Sequence, residues 1–248
     1  FRYYRSYFSS RWWMEYLVMK HIAIILARGG SKRLPHKNIL DFHGKPMLAW
    51  SIEAALQSGQ YDKVLVSTDD PQTAEIGRSF GAEVPFLRVS AADDLAASSE
   101  ATLAALNQAE QFWGTQFDVV SQLMANCPLR DSADITLAVK NFIKRSADSQ
   151  ISSFRFGWMN PWWAAKVDDE GIPAFVFPET IKSRSQDLPP LYCPSGALWI
   201  ARVEALKSSK TFYTSNHTFH ELSWMSAMDI DDKEDMEMAK ACFMLKYR

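Results

Sequence analysis

The chain has 248 residues, 47% hydrophobic and 23% charged, the composition of a globular domain with one substantial core. Its formal net charge of −2 offers no broad polyanion-binding face, which excludes nucleic acid as the first partner to consider. Three cysteines without a C-x-x-C pair exclude a disulfide framework or structural zinc site and predict a reducing, cytoplasmic setting, and no apolar run is long enough to span a bilayer.

Phe1 to Val18 is aromatic and basic but lacks the uninterrupted apolar core of a secretory signal. It reads as an addition to the domain, or as a targeting or interface segment, with Met19 opening the domain proper. His21 to Ala27 is apolar and β-branched and stops at Gly29-Gly30, a buried parallel strand entering a glycine-rich loop. Pro46 to Leu56 has helical spacing with proline in the first turn. Lys63 to Thr68 is a second strand, Thr73 to Phe80 a helix stopped by Gly81, and Glu83 to Phe86 a short third strand. Ala97 to Trp113 is a long amphipathic helix, Asp118 to Met124 a strand, and Ser132 to Lys144 a helix capped by Ser132 or Asp134. Strands alternating with helices predict βαβ units and an α/β fold with a mostly parallel sheet. After residue 150 the pattern breaks into short β-like pieces (Gln150 to Phe156, Ala174 to Phe177, Ala197 to Ala201) among prolines and aromatics, and Lys233 to Lys246 closes the chain as a helix. One domain, 19–248, is predicted, with a small late insert over about 150–195.

The densest chemistry is in Ala27-Arg28-Gly29-Gly30-Ser31-Lys32-Arg33-Leu34-Pro35-His36-Lys37-Asn38. Two glycines and four cationic side chains follow a strand's C-terminal end, where open α/β sheets bind ligands. Glycines let backbone N–H groups approach oxyanions, and Arg or Lys neutralise phosphate charge, so a triphosphate fits here. Neither G-x-x-x-x-G-K-[ST] nor G-x-G-x-x-G is present, and a solvated basic turn is the plainer alternative. Near the other end lies Met228-Asp229-Ile230-Asp231-Asp232. In an extended segment Asp229 and Asp231 point the same way while Ile230 packs inward. Their hard oxygens suit Mg²⁺, whereas Asp231 and Asp232 can equally cap the last helix.

The basic loop resembles the signature of the acylneuraminate cytidylyltransferase family, the CMP-sialic acid synthetases. The similarity continues in order through Gly44-Lys45-Pro46-Met47-Leu48, Val66-Ser67-Thr68-Asp69-Asp70, Gly81-Ala82-Glu83-Val84, Cys127-Pro128-Leu129-Arg130, Gln186-Asp187-Leu188-Pro189 and Asp229-Ile230-Asp231. The resemblance implies a Rossmann-like nucleotidyltransferase fold and a homodimer that exchanges part of the insert. It implies transfer of CMP from CTP to a nonulosonic acid, with Arg28 and Lys37 on phosphates, Asn38 on CTP and Mg²⁺ on Asp229 and Asp231. Ala27, Gly29, Gly30, Lys32, Ser67 and Asp69 complete the expected nucleotide site.

The sugar side departs from the family. The family's glutamine is Met124, the arginine before its Gln-x-x-Pro is Ser185 with Arg184 one position earlier, a second basic position is Cys193, and Trp162-Trp163 stands where a lysine can occur. Gln122, Met124, Asn126, Arg130, Lys166, Arg184 and Gln186 are the expected sugar contacts, Arg184 and Lys166 being candidates for the sugar carboxylate. An apolar pocket points away from N-acetylneuraminate toward a deoxygenated, diamino nonulosonic acid. Competing readings are a nucleotidyltransferase for 3-deoxy-manno-octulosonate or a sugar 1-phosphate, and a sugar-nucleotide-binding module without catalysis.

Overall fold

The computed structural model describes residues 19–89, 98–157 and 159–247. The expectations for Phe1 to Val18, and for Ala97 as the first residue of a helix, lie outside the described residues. β1 (His21–Leu26) is buried at every position, as its unbroken apolar run requires. The chain then turns through a small hairpin, β2 (Asp41–Phe42) and β3 (Lys45–Pro46), whose loop is His43-Gly44 with φ of 50° and 84°. Two consecutive left-handed residues close a tight hairpin, and the second is glycine because it needs no Cβ there. α1 (Met47–Ser58), β4 (Lys63–Ser67) and α2 (Pro71–Ser79) follow, the last capped by Asp70, which accepts from Thr73 N–H at 2.8 Å. Next come α3 (Ser98–Trp113), β5 (Val119–Met124) and α4 (Ser132–Arg145). The cap of α4 is Asp131, in a reciprocal capping box with Asp134, one residue before the expected Ser132.

β6 (Ser149–Arg155) leads into the late lobe, which holds a small hairpin of β7 (Ala165–Val167) and β8 (Pro173–Phe175). β9 (Tyr192–Arg202) returns to the sheet, followed by α5 (Val203–Ser209), β10 (His217–Glu221) and α6 (Lys233–Lys246). The main sheet runs β10-β6-β9-β5-β1-β4, parallel except for β9, which is antiparallel to both neighbours. Side-chain alternation divides the core between its faces. Ala23 and Ile25 pack with α1, α2 and α4, while Ile22 and Ile24 pack with α3 and α5. This is the expected α/β architecture of mostly parallel sheet between helical layers.

One expected strand is corrected. Glu83 to Phe86 is no strand: it makes a single bridge, Leu65 to Glu83, and Pro85 has no N–H to continue it. His220 is buried on β10 with Asn141 Nδ2 3.1 Å from its Nδ1, and burial holds its pKa below the ordinary histidine value.

Candidate active site

β1, β4 and β5 are parallel, so their C-terminal ends open on one edge of the sheet. The loop leaving β1 is anchored there. Ala27 N–H donates to Ser67 C=O at 3.0 Å, and Gly29 N–H donates to Asp69 Oδ1 at 2.9 Å. Asn38, itself buried, donates from Nδ2 to Arg28 C=O at 2.9 Å and so ties the loop's two ends together. Gly29 is obligatory: a Cβ there would lie 2.6 Å from Asp70 Cβ, and Asp70 is fixed as the cap of α2. Gly30 is exposed, with open space where its Cβ would be. Leu34 is buried against Phe42, Met47, Leu129 and Ile230, which pins the basic loop to the chain's last segment.

That last segment arrives as its alternation predicts. Ile230 is fully buried, and its N–H donates to Asn126 C=O at 2.9 Å while Asn126 Nδ2 donates to Ile230 C=O at 3.0 Å. Asp231 is thereby presented to the loop, where Lys37 Nζ meets its Oδ1 at 2.7 Å and Arg33 pairs with its other oxygen. Asp232 caps α6, the role expected for it. The two neighbouring carboxyls are driven apart electrostatically. Burial and then the charge of Asp231 push Asp229 above the usual carboxylate range. Burial alone would raise Asp231 too, but the Lys37 hydrogen bond and the Lys37 and Arg33 charges outweigh it and hold Asp231 low. No group of three or more His, Cys, Asp or Glu side chains suited to a metal occurs among the described residues. A cation here would take two carboxylates and complete its shell with water and phosphate, which is the habit of Mg²⁺.

The expected sugar contacts separate into three sets. Gln122 is fully buried on the α3 side of β5, its Oε1 accepting from Thr102 Oγ1 at 2.7 Å, and Arg130 is buried with Nη1 donating to Ala197 C=O. Neither presents surface to a substrate, so both are corrected to core positions. Asn126 is likewise reassigned to holding Ile230 and Asp231 in place. Met124 is half-buried between two apolar clusters. Lys166 is exposed on β7, and Arg184, 72% exposed, is tied to Asp187 through Nε at 2.7 Å and Nη2 at 3.0 Å. Gln186 lines a cavity of about 420 Å³ between the end of β6 and the late lobe, with Ser185, Asn160 and Arg155. Trp162 braces the lobe, donating from Nε1 to Pro189 C=O at 2.9 Å and meeting Phe177 edge-on at 5.0 Å.

Sequence reasoning assigned no individual role to three arginines. Arg33 pairs with Asp231. Arg88 is buried beside Ser67, with Nη1 to Oγ at 3.5 Å; burial lowers its pKa, Asp69 opposes that, and its Nε has no hydrogen-bond partner among the described residues. A buried guanidinium incompletely paired beside the loop is a ready contact for a polar ligand. Only its position after Leu87 at the end of an apolar stretch hinted at it. Arg155, the third, had no signal beyond closing a strand.

The family profile described as cytidylyltransferase matches residues 22–161. The pseudaminic acid cytidylyltransferase of Campylobacter jejuni (serotype O:23/36, strain 81-176) is 34% identical over 230 residues, covering 92% of this chain and 98% of that protein. The N-acylneuraminate cytidylyltransferase of Streptococcus agalactiae (serotype V) is 34% identical over 219 residues, 88% of this chain and 52% of that longer protein. Among solved structures, a CMP:2-keto-3-deoxy-manno-octonic acid synthetase complexed with CTP superimposes with a TM-score of 0.69 over 92% of this chain and 99% of that one, at 18% identity, a likeness of fold.

Proposed function

The chain belongs to the cytidylyltransferase family, and from that premise we propose that it transfers CMP from CTP to the anomeric hydroxyl of an acidic nine-carbon sugar, releasing pyrophosphate. The observation that carries this reading is the meeting of Lys37 with Asp231 at 2.7 Å across 194 residues of sequence. It brings the cationic loop and the acidic segment together at one edge of the sheet, and a triphosphate would need both.

The hydroxyl oxygen forms a bond to the α-phosphorus, the bond from that phosphorus to the bridging oxygen breaks, and pyrophosphate departs while the hydroxyl proton passes to water. Such a displacement needs in-line positioning and cancellation of developing charge rather than a covalent intermediate. Arg28 and Lys37 neutralise the departing phosphates, with Lys32 at the loop's exposed tip as a further contact. Asn38 keeps the loop's curvature through its bond to Arg28 C=O. Asp229 and Asp231 would hold Mg²⁺, which when bound supplies Lewis-acid neutralisation of phosphate oxygens.

The acceptor we propose is a deoxygenated, diamino nonulosonic acid of the pseudaminic kind. By the family resemblance, Met124, Trp162-Trp163 and Cys193 stand where polar side chains are expected, and the Campylobacter relative is named for that acid. We also propose a cytoplasmic homodimer, supported by exposed Val167, Phe175 and Val176 on the late lobe. Among the described residues no helix is long and apolar enough to cross a membrane.

The test is pyrophosphate release from CTP, UTP, ATP and GTP against pseudaminic, legionaminic, N-acetylneuraminic and 3-deoxy-manno-octulosonic acids, with Mg²⁺ or EDTA. Release requiring CTP, a nonulosonic acid and Mg²⁺ is expected. Preference for N-acetylneuraminate would overturn the acceptor assignment, and release without any sugar acid would overturn the transfer itself.

A further inference from the structure

We propose that Arg155 binds the carboxylate of the acceptor sugar and thereby sets the enzyme's demand for an acid; this rests on the cytidylyl-transfer reading above. Arg155 is the last residue of β6, in register with Tyr192 of β9. β6 and β5 are both antiparallel to β9, so they run the same way and end on the same sheet edge. Two strand spacings, about 10 Å, separate those ends, the scale of one sugar beside a nucleotide.

The cavity of about 420 Å³ at the end of β6 is within the range of small-molecule sites. Among the described residues of its lining Arg155 is the one that is charged; Asn160, Ser185 and Gln186 add neutral polar groups, and Phe156 and Leu188 add apolar wall. The Arg155 side chain is exposed, with no hydrogen bond or ion pair to another described residue. Its backbone is fixed, because the next residue, Phe156, donates its N–H to Leu191 C=O at 3.0 Å. The two residues expected to take the carboxylate are poorly placed for it. Arg184 is occupied by Asp187, and neither it nor Lys166 lines the cavity. A planar guanidinium meets a carboxylate with two parallel N–H···O bonds, which neutral Asn, Ser and Gln cannot replace in charge.

The experiment compares wild type, Arg155→Ala, Arg155→Lys and Arg184→Ala for KM toward pseudaminic acid, its methyl ester and CTP. Direct binding of the acid is measured by calorimetry, and melting temperature serves as the folding control. Loss of a charge-assisted contact predicts a rise of about 10- to 100-fold in KM for the acid in Arg155→Ala. A smaller rise is expected in Arg155→Lys, with KM for CTP unchanged. Wild type should prefer the acid to its methyl ester, and Arg155→Ala should lose that preference. If Arg155→Ala keeps both the acid KM and the preference, or if Arg184→Ala alone loses them, the assignment is wrong while the transfer reaction stands. A wild-type chain that neither turns over nor binds any nonulosonic acid would sink both.

Discussion

Breaking the Lys37–Asp231 pair should loosen the fold and the nucleotide site together. The two charged atoms are 2.7 Å apart, and their side chains are 15% and 31% exposed. At that separation the gross attraction is about 6 kcal/mol at an effective dielectric of ~20, and about 1.5 kcal/mol in bulk water. Desolvation and side-chain ordering consume most of it. Exposed pairs retain roughly 0–1 kcal/mol, whereas removing one partner of a buried pair costs about 3–5 kcal/mol. A half-buried pair stands between, so Asp231→Asn should cost about 1–2 kcal/mol. At roughly 2–4 °C per kcal/mol for a chain of this length, the melting temperature should fall by several degrees. The assay is a double-mutant cycle of Lys37→Met and Asp231→Asn by urea denaturation at pH 7, with a coupling of about 1 kcal/mol expected. The pH dependence has a defined sign. The folded pKa of Asp231 lies below its unfolded value, so its contribution is present above that unfolded value, near 4, and is lost as pH falls through the lower folded one. Additive single mutants, within about 0.3 kcal/mol at pH 7, would refute the idea that this contact joins loop and acidic segment.

Gly29→Ala should destabilise by about 1–3 kcal/mol and raise KM for CTP, because the new methyl meets Asp70 Cβ at 2.6 Å; a thermal melt and CTP titration read both effects. Arg88→Met should raise KM for CTP about tenfold while leaving KM for the sugar acid unchanged, which steady-state kinetics with each substrate varied will show. His21, the first residue of β1, is buried with Nε2 2.9 Å from Ser121 Oγ, and burial lowers its pKa to about 3. Because the folded value lies below the unfolded one, its stabilising contribution is complete above about pH 6.5. It is lost as pH falls from there toward 3, at up to about 1.4 kcal/mol per unit. Urea melts of His21→Gln, which can keep a bond to Ser121, should show a shallower loss of stability over that window.

The sequence was most legible where local pattern and tertiary role coincide. β1 reads as buried because both its faces are, and Ile230 reads as inward because its flanking aspartates alternate with it. The hairpin around His43-Gly44 escaped because two residues per strand carry no periodicity. Pro189, Pro190 and Pro194 disguised the start of β9, yet Pro194 is tolerated where the register with β6 shifts, between Ile151 and Ser153. The sugar pocket was misread for a different reason. Whether Gln122, Asn126 and Arg130 face substrate or core depends on which distant helix or strand covers them: Thr102 takes Gln122, Ile230 takes Asn126 and Ala197 takes Arg130. Spacing along the chain holds no record of those partners.

The most direct measurement is ³¹P NMR of the chain incubated with CTP, pseudaminic acid and Mg²⁺. A phosphodiester signal of a CMP-sugar growing in step with pyrophosphate, and absent for Asp229→Ala, is the expected outcome. Inert CTP, its hydrolysis to CMP without a sugar adduct, or an unaffected Asp229→Ala would contradict a shared site for the basic loop and the acidic pair.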